Sequence, residues 1–169
     1  MSPQTHKENT CCFSGHRPEK LPWHNNERDK RCVQLRQKLY DVVLALYFSG
    51  IFHFVCGMAR GSDFYFAEAV LSLRRDYENV TLEAVIPCEE QAKNWSETDR
   101  NRYYQLISEC DTETLLQSAY THDCMLRRNR YMVDHACVLV AVFDGTFGGT
   151  LHTVNYALRK ELEIIELRP

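Results

Sequence analysis

With 169 residues, 44% of them hydrophobic, the chain is long enough to fill one core and short for two, which predicts a single domain. No apolar run approaches the roughly 18 residues a membrane helix needs, and the polar start "MSPQTHKENT" has no apolar segment of signal-peptide type, so a cytoplasmic protein without membrane partners is expected. The formal net charge of −3 gives no global field for collecting a polyanion, and a nucleic-acid role would need a local basic patch, for which "RRNR" at 127–130 is the candidate.

In chain order, residues 1–9 read as a disordered tail and 10–169 as the domain. A first strand is expected over 11–14, followed by the irregular, proline-containing stretch 14–30. Cys32, Leu35, Leu39, Val42 and Leu46 recur at steps of three and four, an apolar helical stripe that would cover a sheet. A second strand over 51–56 ("IFHFVC") leads through "GMARGSD" into a helix carrying Phe66, Val70 and Leu73 on one side and ending in "LRRDYEN". Further strands are expected at 80–86, 112–116, 137–143 and 163–167, with helices over 95–110, 125–135 and 150–160 between them. "CVLVAVF" at 137–143 has no polar residue, as suits a central strand covered on both faces. This alternation predicts an α/β fold: a single-domain, Rossmann-like three-layer sandwich with a mostly parallel sheet of about six strands.

The eight cysteines are scattered with no CxxC pair, which reads as ordinary reduced thiols. No two histidines stand at i, i+4, and no metal site is expected. Absence of GxGxxG disfavours a dinucleotide dehydrogenase, absence of GxxxxGK[ST] a P-loop nucleotidase, and no GxSxG appears.

Three strand ends carry the candidate chemistry: "FSGHRP", "CGMARGSD" and "FDGTFGGT". In an open parallel sheet, ligands bind outside the carboxyl ends of the strands, and glycine turns leading into helix N-termini favour a phosphate. The candidate ligand-binding residues are therefore Gly15 and Arg17 in the first turn, Gly57, Arg60, Gly61 and Asp63 in the second, and Gly148, Gly149 and Thr150 in the third. Thr150 is read as capping the last helix while facing a phosphate, and Ser62 or Asp63 as capping the helix after Gly61. Asp63 would repel phosphate and is expected on loop amides or a ribose hydroxyl. In "CMLRRNRYMVDH" at least one of Arg127, Arg128 and Arg130 should point to the same edge as a phosphate partner, and Asn129 can hydrogen-bond backbone or a base. His152 and Asp144 lie near that turn without an assigned role.

The segments "FSGHRPEKL", "GMARGSD", "RRNRYMVDH" and "FDGTFGGT", in this order over most of residues 11–160, resemble the YpsA-like family of the SLOG superfamily, which includes the DNA-processing protein DprA and the LOG-type phosphoribohydrolases. The resemblance implies a Rossmann-like sheet with a pocket for a nucleotide or nucleotide-derived ligand, with no further cofactor required. LOG enzymes carry a glutamate shortly after the glycine-threonine turn; here Leu151, His152 and Thr153 follow Thr150, and Arg128, the nearest match to their arginine, lacks its acid. The expected function is thus a nucleotide-binding sensor or regulator. The alternatives are a nucleoside phosphate or nucleotide-derivative hydrolase of LOG type and single-strand DNA binding of DprA type. Self-association is expected by the same resemblance.

Overall fold

The computed structural model describes residues 6–169. Six strands form one sheet: β1 (Thr10–Gly15), β2 (His53–Cys56), β3 (Thr81–Ile86), β4 (Thr112–Leu115), β5 (Val138–Val142) and β6 (Glu163–Leu167). Five helices alternate with them: α1 (Lys30–Phe48), α2 (Ser62–Asp76), α3 (Glu97–Glu109), α4 (Cys124–Asp134) and α5 (Gly149–Arg159). Every strand pair is parallel, in the order β4-β3-β2-β1-β5-β6.

That order divides the helices between two faces. From β1 the chain steps outward through β2 and β3 to β4, and α1, α2 and α3 pack with Cys11, Phe13, Phe54 and Leu82 on one face. It then returns to the far side of β1, and α4 and α5 cover Cys12, Val55 and Leu139 on the other face through Met132, Val133, Val154 and Ala157. β5 is buried on both faces, which explains its unbroken apolar run. α2 is the central helix of its layer: Phe66 stacks on Phe13 with ring centroids 4.5 Å apart, and Phe66, Val70 and Leu73 are fully buried. Truncating a side chain such as Phe66 to alanine costs about 3–5 kcal/mol.

The elements differ from the sequence reading mainly at their ends. Ile51 and Phe52 precede β2, because the Ile51 N–H donates to Leu46 O at the end of α1 and the Phe52 N–H to Asn9 O. In α1 Val43, four residues on from Leu39, is fully buried, while Val42 lies half-buried on the flank. Of the tail expected over 1–9, residues 1–5 lie outside the described residues; Lys7–Asn9 form a 3-10 turn, with the Thr10 hydroxyl donating to His6 O and fixing the entry to β1. The stretch 14–30 contains a second 3-10 turn, Pro18–Lys20. No helix among the described residues is long and apolar enough to cross a membrane.

Candidate functional site

The direction of strand order reverses between β1 and β5, and outside their carboxyl ends lies a cleft of about 330 Å³. Gly15 at the end of β1 pairs with Val142 at the end of β5, and the His16 N–H continues the ladder to Val142 O. Beyond that point the two loops are tied by side chains. The buried His16 ring places Nε2 2.8 Å from Asp144 Oδ1. The same oxygen accepts from the Thr146 hydroxyl and N–H, and these contacts, the hydroxyl foremost, hold the Asp144 carboxyl far below the usual carboxylate range. At the rim, Lys20 Nζ donates to Phe147 O at 2.5 Å.

The second loop backs the cleft. Gly57 stops β2 against the guanidinium of Arg128 from α4, whose Nη1 donates to Gly57 O and, at 3.2 Å, to Gln91 Oε1. Gln91 Nε2 also donates to Gly57 O, so the carbonyl, the amide and the guanidinium satisfy one another. Gly61 has φ +83°, and a Cβ there would lie 2.9 Å from Pro18 Cδ; only glycine lets the first and second loops touch. Ser62 seals the contact by donating its hydroxyl to His16 O. Neither Ser62 nor Asp63 caps α2: Gly61 is the N-cap without a side-chain bond, and Asp63 Oδ2 instead accepts from the Ala59 N–H at 3.0 Å. Burial raises the Asp63 carboxyl to about 6, against the opposing pull of the Arg128 charge and the Ala59 N–H. Burial likewise lowers the basicity of Arg128, with Asp63 opposing.

α4 and α5 present their N-terminal ends to the cleft. Gly148, at φ +154°, is the N-cap of α5 and has no side-chain bond. Thr150 is therefore inside the helix rather than its cap. The first helical bond is made by the His152 N–H to Gly148 O, which leaves the N–H groups of Gly149, Thr150 and Leu151 without a protein partner among the described residues. Thr150 is only 7% exposed and lines the cleft, and its hydroxyl makes no hydrogen bond among the described residues. A Cβ on Gly149 would meet nothing within 4 Å.

Of the residues singled out in the sequence, the cleft brings together Gly15, Arg17, Asp63 and Arg128, and with them Asn129, Gly148, Gly149 and Thr150. Gly57, Arg60 and Gly61 do not line it. Gly57 makes room for Arg128 and Gly61 for Pro18, whereas Arg60 turns away to pair with Glu19 at 2.6 Å and to lie over Trp95. His152 faces the groove between α4 and α5, beside Arg130 and Tyr156. Sequence reasoning missed Lys20, His16 and the apolar pair Met125 and Leu126, all of which line the cleft, and Gln91 behind it. Lys20 and His16 lie inside "FSGHRPEKL"; Gln91 carries no signal, because its partners Gly57 and Arg128 are distant in sequence.

The family described as YpsA, the YspA SLOG family, matches residues 11–165, and the chain belongs to it. The uncharacterized SPbeta prophage-derived protein YoqJ of Bacillus subtilis (strain 168) is 27% identical over 143 residues, covering 77% of this chain and 84% of that protein. Among solved structures, DNA processing protein A (DprA) from Streptococcus pneumoniae superposes with a TM-score of 0.64 at 16% identity, covering 95% of this chain and 50% of that one. DNA processing protein A from Helicobacter pylori, studied for its single-stranded DNA binding mode, superposes with a TM-score of 0.61 at 15% identity, covering 93% and 64%. The chain thus shares their fold and spans half to two thirds of their length.

Proposed function

We propose that this member of the YspA SLOG family binds a nucleotide or nucleotide-derived ligand in the cleft between the β1 and β5 loops, acting as a sensor or regulator. One observation carries the reading: the N–H groups of Gly149 and Thr150 and the Thr150 hydroxyl, all unpartnered among the described residues, and the side chains of Arg17 and Lys20 converge on one cleft of about 330 Å³. The N–H groups and helix dipole favour an anion, and the volume is of the size that small-molecule sites have. A phosphate at Gly149 and Thr150 leaves the rest of the ligand beside Met125 and Leu126, an apolar surface for a base. Asn129 Oδ1 accepts from Arg128 Nε, so its amide N–H groups remain available to a ring nitrogen or carbonyl. Asp63, held to the Ala59 N–H, supplies an acceptor for a ribose hydroxyl.

A second reading rests on the groove beside the cleft. Arg130, Arg159 and Lys160 surround the Tyr156 ring at 5.3 to 5.7 Å, and Asp134 is the acid paired with Lys160. Cations interleaved with an aromatic ring suit single-stranded nucleic acid, the ligand named for the Helicobacter pylori protein. The cleft and this groove share Leu126 and Asn129, so a strand with one nucleotide in the cleft would continue along it.

A thermal-shift titration with nucleoside mono- and diphosphates, NAD, ADP-ribose and a short single-stranded DNA tests both readings. A ligand at a hundred times its Kd adds about 2.7 kcal/mol, or roughly 5 to 10 °C at this chain length. A mononucleotide hit without turnover supports the sensor, whereas release of free base over time moves the reading to a hydrolase. A hit for DNA alone, with steep salt dependence, favours the second reading. No shift with any ligand overturns both.

A further inference from the structure

We infer that Lys20 is the residue by which the cleft tells a phosphorylated ligand from its unphosphorylated counterpart, and that its bond to Phe147 O is the resting position of an exchangeable phosphate clamp. The inference rests on the nucleotide reading above and goes beyond it in naming the discriminating side chain.

Three observations place Lys20 in that role. It ends the 3-10 turn Pro18–Lys20 and reaches across the cleft mouth to Phe147 O, so that its ammonium occupies the space a side chain on Gly148 would take: a Cβ there would lie 2.7 Å from Nζ. The ammonium therefore stands at the N-cap of α5, next to the unpartnered N–H groups of Gly149 and Thr150, where the helix end already carries partial positive charge. Lys20 has no ion-pair partner among the described residues, and neither has Arg17, which lines the same cleft.

Such an arrangement is electrostatically unfavourable until an anion enters. None of the nearby carboxylates pairs with Lys20 or Arg17 among the described residues: Asp144 is held by His16 and Thr146. Glu19, although it lines the cleft, is drawn to Arg60 at 2.6 Å, and Asp63 is held on the Ala59 N–H with Arg128 nearby. Thr150, nine-tenths buried and with its hydroxyl unpartnered among the described residues, lines the same volume as a neutral donor. A carbonyl is a weaker acceptor for an ammonium than a phosphate oxygen, which carries a formal negative charge and adds Coulombic attraction to the hydrogen bond. Entry of a phosphate thus transfers Lys20 from Phe147 O to the ligand, where it meets the Thr150 hydroxyl and the α5 N–H groups.

The test compares a nucleoside 5′-monophosphate, the matching nucleoside and inorganic phosphate by isothermal titration on the wild type, Lys20→Met and Lys20→Arg. Lys20→Met keeps the stem and removes the charge; it should weaken the monophosphate and inorganic phosphate about tenfold and leave the nucleoside unchanged, with Lys20→Arg restoring most of the loss. Unchanged monophosphate and phosphate affinity in Lys20→Met, or an equal loss for the nucleoside, overturns the assignment. If the wild type binds inorganic phosphate in a Lys20-dependent way but no nucleoside or nucleotide, the clamp stands and the nucleotide reading falls. If nucleotides bind and Lys20→Met does not matter, the nucleotide reading stands and the clamp falls.

Discussion

Arg128 fills the space that a side chain on Gly57 would need: a Cβ there would lie 2.4 Å from Nη1, and the same nitrogen donates to the Gly57 carbonyl. The glycine that ends β2 is therefore set by a residue of α4 from the far side of the sheet. Gly57→Ala should lower stability by about 2 kcal/mol, within the usual range for overpacking, because the guanidinium is pinned by Gln91 and cannot swing aside freely. Urea denaturation checks this; a variant as stable as the wild type would show that Arg128 yields without loss.

Removing the guanidinium acts on the same pair from the other side. Arg128→Met leaves Gln91 Oε1 without its donor and takes away the positive charge that favours ionised Asp63. A loss of about 3 kcal/mol is expected, together with a further rise of the Asp63 carboxyl. Urea titration and carbon NMR of the Asp63 carboxyl read the two effects separately.

Asp63 also makes stability depend on pH. Burial raises its folded value to about 6, above that of an aspartate in the unfolded chain. Its stabilising contribution is therefore fully present below about pH 4 and is lost as pH rises through about 6, a change of about 3 kcal/mol. Asp63→Asn keeps an oxygen for the Ala59 N–H and removes the titration. The stability of the variant relative to the wild type should climb between pH 4 and pH 7 and then level; a difference independent of pH would contradict the assignment.

Gly149 faces open space, so Gly149→Val should leave the fold intact, changing stability by less than about 1 kcal/mol, since valine is the better helix former. The added side chain enters the volume beside the α5 N–H groups, and binding of any phosphate-bearing ligand should fall at least about tenfold. Thermal melts with and without nucleotide separate the two effects. Retained binding would remove this turn from the site.

The sheet and its helices were legible because hydrophobic period is local information. β6 begins and ends where the sequence reading placed it, and the polar-free run at 137–143 contains the doubly covered β5. What each glycine is for was less legible. Gly57, Gly61 and Gly149 all read as places where backbone approaches a ligand, but only Gly149 has open space beside it. Gly57 and Gly61 are small because Arg128 and Pro18 lie against them, contacts fixed by how distant segments come together. For the same reason the His16–Asp144 contact, across 128 residues, and the Lys20 bond to Phe147 O had no signature in local pattern.

The most direct test of the central claim is a heteronuclear NMR titration of the labelled protein with a nucleoside 5′-monophosphate, following backbone amides residue by residue. The largest changes should fall on Gly149, Thr150 and Leu151, whose N–H groups have no acceptor among the described residues, with smaller ones at Gly15, Arg17 and Asn129 around the cleft. Saturable binding with those amides unmoved, or shifts confined to another surface, would contradict it.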